Sequence, residues 1–113
     1  MLGAVIGDIV GSRFEADNHK SKEFDLFTQN SCPTDDSIMT LAVAKALLAS
    51  KEDWSQLSKN AVQYMQEVGR HYHDCGYGGH FFYWIFLMIL NPMVVMVMAP
   101  LCALVLSVLR QIA

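Results

Sequence analysis

The chain has 113 residues, room for one domain of ordinary size. Eleven acidic residues against eight basic ones leave a net charge of −3, so nothing points to nucleic acid as a partner. The three cysteines, Cys32, Cys75 and Cys102, are odd in number and lack C-x-x-C spacing, which argues against a disulfide framework or a zinc site.

No basic segment precedes the short apolar start, and Asp8 interrupts it. No signal peptide is therefore read, and a reducing cytoplasm is the expected location. Charge is spread unevenly: every acidic residue lies at or before Asp74, and Arg110 is the only charged residue beyond it. The last third reads as a different kind of sequence from the first two.

Leu2 to Ser12 is small and apolar, with glycine at 3, 7 and 11. Spacing of four places these glycines near one helix face, where they would admit a closely packed neighbour. Such a helix needs tertiary support, because glycine costs about 1 kcal/mol per interior site. Asp8 within that run either faces water or does something specific; the sequence leaves both open. From Ala16 to Lys22 the chain is polar and loop-like, and Phe24, Leu26 and Phe27 are expected to pin the following loop to the core. Pro33 biases Cys32 away from helical angles and closes that loop.

Thr34-Asp35-Asp36-Ser37 opens the strongest helical pattern. Thr34 is a good N-cap, and the two carboxylates fall in the first turn, where anions complement the helix dipole. Many ordinary helices begin this way. The same three residues also offer several hard oxygen donors of the kind that suit Mg²⁺ or Mn²⁺. Ile38 to Ser50 is apolar almost all round, with Lys45 its only charge, and such a helix belongs in a core.

Lys51-Glu52-Asp53 breaks the pattern, and Asp53 with Gln56 has capping-box spacing. Trp54, Leu57, Ala61, Val62, Met65 and Val68 follow at three- and four-residue steps, so an amphipathic helix is predicted to end near Tyr72. His71 to His80 reads as a loop; its His-x-His-Asp cluster is expected to be solvated rather than metal-bound. The fold class predicted from these elements is all-α.

An ordered set of short motifs then carries a resemblance. The set is Gly3-Ala4-Val5-Ile6-Gly7-Asp8-Ile9-Val10-Gly11-Ser12-Arg13-Phe14-Glu15, Asn18-His19-Lys20, Phe27-Thr28, Thr34-Asp35-Asp36-Ser37-Ile38-Met39-Thr40, Tyr64-Met65-Gln66 and Gly76-Tyr77-Gly78-Gly79. From Met1 to about Trp84 it resembles the N-terminal part of the ADP-ribosylglycohydrolase family, to which the enzyme that reactivates dinitrogenase reductase belongs.

The resemblance implies an all-α fold around a two-metal site for Mg²⁺ or Mn²⁺. Metal ligands carry onto Thr34, Asp35 and Asp36, and catalytic carboxylates onto Glu15 and Asp36. The implied substrate is an ADP-ribosylated protein or a small ADP-ribose derivative. Ser37 stands where many members have threonine. The chemistry agrees in kind, since cleaving a ribosyl bond passes through an oxocarbenium-like state that positioned carboxylates can assist.

Residues 1–84 are thus read as part of a glycohydrolase domain and 85–113 as an apolar tail, helical or disordered, of non-family sequence. Phe81 to Leu109 carries no charge and exceeds the ~20 residues a membrane helix needs, although Asn91-Pro92 and Pro100 interrupt it. A literal reading is a kinked or hairpin anchor on a small membrane-associated protein with a non-catalytic N-terminal domain.

The preferred reading is a shifted frame. Taken from each codon's third base, Met88-Ile89 gives Asp, while Met93-Val94, Met96-Val97 and Met98-Ala99 each give Gly. The junctions from Ala99 to Ala103 then permit Ser, Ala, Met and Arg, restoring the family's Gly-Asn-Gly-Ser-Ala-Met-Arg. Met-Val repeats generate shifted glycines automatically, so the four followers carry more weight. The family's later Asp-x-Asp-Thr is absent from the 113 residues. The expectation is a chain with half a metal site, no useful turnover and poor solubility.

Overall fold

The computed structural model describes residues 1–87, so the tail from Met88 onward, with the shifted-frame motif and the proposed anchor, lies outside the described residues. Within that range the protein is all-α, as predicted, and contains no strand. Helix α1 is Leu2–Gly11, α2 is Asp35–Ala49, α3 is Leu57–His71 and α4 is Gly79–Leu87. Short 3-10 turns at Ser12–Phe14 and Trp54–Gln56 follow α1 and precede α3.

Helices α2 and α3 run antiparallel: Asn60 Nδ2 donates to the buried Ser50 Oγ at 2.8 Å, and Lys45 Nζ reaches Glu67 Oε1 at 2.7 Å. Ala42 and Ala46 on α2 are fully buried beneath Leu57, Ala61 and Met65 of α3. Small side chains on one helix let the larger ones of the other fill the gap, which is how a two-helix seam reaches interior packing density. Trp84 and Ile85 of α4 complete this core.

Gly69 lets α4 approach closely. A Cβ there would sit 3.0 Å from Ile85 Cδ1 and 3.1 Å from its Cγ2, tight enough that Ile85 would have to shift. Two side chains on α3 then fasten α4 by its backbone: Gln66 Nε2 donates to the Trp84 carbonyl at 3.2 Å and Arg70 Nε to that of Ile85 at 2.9 Å. The first part of the uncharged run is therefore folded core, and α4 passes through the expected boundary at 84–85 without a break. No helix among the described residues is long and apolar enough to cross a membrane.

Several local expectations are corrected. The glycines at 3, 7 and 11 admit no close neighbour, since a Cβ at any of them would meet nothing within 4 Å. Phe24, Leu26 and Phe27 do not pin the loop to the core, for all three are exposed. Phe24 instead packs edge-on to Phe14 and His19, and the Arg13 guanidinium lies over the Phe14 ring at 4.5 Å, a separate cluster beside α1.

Nor is α2 enclosed on all sides. Only one side meets α3, and Leu41 and Leu48 remain 53% and 72% exposed. Apolar composition sets how much surface a helix can bury, but only neighbours bury it. The capping box is half-formed: Asp53 accepts the Ser55 N–H at 3.0 Å, while the Gln56 side chain turns to Ser55 Oγ. Trp54, in that turn, stays 41% exposed rather than joining the apolar face of α3.

Candidate functional site

The first turn of α2 is tied by hydrogen bonds to α1 and to the α3–α4 connection. A helix start leaves its first N–H groups without intrahelical acceptors. Here each one is accounted for. The N–H of Asp35 donates to the Cys75 carbonyl at 2.7 Å, that of Asp36 to Thr34 Oγ1 at 3.4 Å, and that of Ser37 to Asp8 Oδ2 at 3.1 Å. The first intrahelical bond, Ile38 N–H to Thr34 carbonyl at 3.2 Å, follows directly.

Asp8 does more than cap Ser37. Its Oδ2 also accepts the Thr34 N–H at 2.8 Å, and its Oδ1 accepts the Thr34 hydroxyl at 2.5 Å. Burial alone would raise its pKa, but donors on Ser37 and Thr34 outweigh that and hold the carboxyl below the usual range. Asp8 thus stays an anion and an acceptor. This settles the question the sequence left open: the acid neither dangles in water nor lies idle.

The third tie comes from the α3–α4 connection. Gly76 adopts φ +90°, a left-handed conformation that glycine reaches without strain, next to the residue whose carbonyl meets Asp35. Burial first, and the Asp36 charge second, push the Asp35 carboxyl above the ordinary value. Burial also pushes up the Cys75 thiol, with the Asp35 charge next in effect. Tyr77 is pushed up to about 12 by burial, then by Cys75 and Asp35, and its buried hydroxyl has no hydrogen-bond partner among the described residues. The Asp35 carboxylate thus lies close enough for its charge to act on both Cys75 and Tyr77.

Asp36 also faces a cleft that Thr34 and Asp35 do not line. An open cleft of about 460 Å³ between α1 and α2 is lined by Ala4, Gly7, Asp8, Gly11, Glu15, Asp36 and Thr40. Gly7 and Gly11 contribute room rather than contact. Of the residues singled out from the sequence, Glu15 and Asp36, both exposed, are brought to this one cleft. Thr34 is buried and hydrogen-bonded, and Asp35 is half-buried and does not line the cleft.

Among the described residues no three His, Cys, Asp or Glu side chains converge to hold a metal ion. What is present is of the right chemical kind. The donors are carboxylate and hydroxyl oxygens, and the repulsion between Asp35 and Asp36 is of the sort a divalent cation relieves. At the other cluster, His73 Nδ1 and Asp74 Oδ2 are 3.3 Å apart and both face solvent, with no metal group there among the described residues.

Two participants were not legible as such: the Cys75 carbonyl, a backbone group with no sequence signal of its own, and Asp8 as the brace of Thr34. The adjacent glycines were the available hint for the first, and an acid in an apolar run for the second. No family model, curated protein or solved structure matches the chain.

Proposed function

We propose that Thr34, Asp35, Asp36 and Glu15 form one side of a Mg²⁺ or Mn²⁺ site serving hydrolysis of an ADP-ribosyl bond. The observation that carries this reading is the meeting of Glu15 and Asp36 in one cleft, beside a helix start braced from α1 and from the α3–α4 connection. Thr34, Asp35 and Asp36 would hold the cation, and Glu15 would face the ribose. Bound there, a divalent ion supplies charge that orients ribose hydroxyls.

The chain's own residues set the conditions. Asp36 and Glu15 stand exposed, open to a sugar and a water molecule, with Glu15 the group to position or activate that water. Gly7 and Gly11 keep the cleft wall free of side chains. The 113 residues contain no Asp-x-Asp-Thr to supply the opposite ligands, so turnover by this chain alone is predicted to be negligible.

The test is Mn²⁺ titration of the 113-residue chain, followed by the spin-resonance signal of free Mn²⁺, alongside an assay for ADP-ribose release. Wild type is expected to bind the ion and D36N to bind it at least tenfold more weakly, by loss of a charged oxygen ligand, with no release above background. Failure to bind, or binding indifferent to D36N, ends the metal reading. Metal-dependent release of ADP-ribose would instead refute the half-site.

A second reading, membrane association through an apolar anchor within the uncharged run Phe81 to Leu109, keeps its compositional support. Resistance to alkaline carbonate extraction would favour it. Coding DNA whose shifted frame spells the missing glycine motif would remove it.

A further inference from the structure

We infer that Asp8 is a positioning residue that fixes which way the Thr34 hydroxyl points, and so keeps an oxygen lone pair of Thr34 available to a cation. The inference rests on the metal reading above and adds a role for a residue that reading does not use.

The argument is one of donors and acceptors. An ionised carboxylate can only accept hydrogen bonds. The 2.5 Å contact between Thr34 Oγ1 and Asp8 Oδ1 therefore consumes the hydroxyl proton of Thr34. One lone pair of Oγ1 meets the Asp36 N–H at a long 3.4 Å. The other is left over. A threonine whose proton is not committed elsewhere could turn it toward a bound cation and present hydrogen, not oxygen. Asp8 forbids that rotation.

Its own geometry is fixed by two backbone N–H groups, those of Thr34 and Ser37, which both donate to Oδ2. With Oδ2 taken by two backbone donors and Oδ1 by the Thr34 proton, the role inferred for Asp8 is to brace a ligand. Partners of this kind behind metal ligands are worth about 10- to 100-fold in metal affinity.

The pattern makes D8N an informative variant. Asparagine keeps the shape, and its single carbonyl oxygen can still accept both backbone N–H groups at the Oδ2 position. Its amide nitrogen must then occupy the Oδ1 position and donate to Thr34 Oγ1, which reverses that bond, takes up a lone pair and turns the threonine proton elsewhere. D8N also removes a negative charge near the cleft, so the loss must be shown to act through Thr34.

The experiment is Mn²⁺ titration of the 113-residue chain as wild type, D8N, T34S, T34V, D8N/T34S and D8N/T34V, each checked for unchanged far-ultraviolet circular dichroism. Expected is a 10- to 100-fold loss of affinity from D8N in the wild-type and T34S backgrounds, and no further loss, within about twofold, in T34V. An equal loss in T34V would show the effect to be charge alone and overturn the inference, as would full affinity in D8N. If T34V unfolds, T34A and D8N/T34A take its place: a D8N penalty that vanishes without the hydroxyl supports the role, and an equal penalty there overturns it. A wild-type chain that binds no Mn²⁺ brings down the metal reading, and this one with it; weak binding by D36N with full binding by D8N brings down only this one.

Discussion

The two halves of the described chain are held by different forces. From α2 to α4 the elements interlock through buried side chains, with Ala42, Ala46, Leu57, Ala61, Met65, Trp84 and Ile85 in one cluster. Helix α1 buries no residue at all, and Leu2 and Ile6 stay 81% and 51% exposed. Val5, Ile9 and Val10 are only half-buried, and the hydrogen bonds that tie α1 to α2 are the three that Asp8 accepts from the start of that helix. A segment can thus be positioned with no core of its own, and the polar tether lies at the candidate site while the apolar packing lies away from it.

The contrast can be broken from either side. The largest effect is expected for Trp84→Ala, which empties the best-filled part of the core and should cost about 3–5 kcal/mol in chemical denaturation. A loss under about 1 kcal/mol would mean that α4 is not part of the cooperative unit. Next comes Asp8→Ala, which leaves the Thr34 and Ser37 N–H groups without acceptors. Its expected cost is about 1–2 kcal/mol, in the range of a lost helix cap, with reduced hydrogen-exchange protection of the Ser37 amide. Unchanged protection would mean that α1 is held by something other than Asp8. The smallest effect is expected for Ile6→Ala, within about 0.5 kcal/mol of wild type, as for surface positions generally. A cost of 2 kcal/mol there would show that the α1 face is covered in solution and that the two halves are held alike.

Much of the local structure was legible because local forces decide it. Thr34 followed by Asp35 and Asp36 marks a helix start through capping and dipole terms that act within one turn, and α2 begins there. The four-residue spacing of Leu57, Ala61 and Met65 marks a buried face, and all three are buried. Where the reading failed, the missing information was a neighbour. Glycines at 3, 7 and 11 signal a smooth helix face, but not whether anything lies against it. Phe24, Leu26 and Phe27 signal apolar surface, but not that a separate cluster around Arg13 and Phe14 would take up Phe24.

The candidate site divides along the same line. Glu15 and Asp36 could be named from motif order, yet their meeting in a cleft depends on how α1 lies along α2. Asp8 could be noticed as an acid in an apolar run, yet its bonds to Thr34 span 26 positions of sequence. By itself the sequence determined that the described fold is all-α, where α2 begins and about where α3 ends, because capping, dipole and periodicity act within a few residues. Only the tertiary structure decided which side of α2 is covered, which oxygens share a cleft and what Asp8 is for. Those depend on contacts between residues far apart in the chain, whose geometry no local pattern encodes.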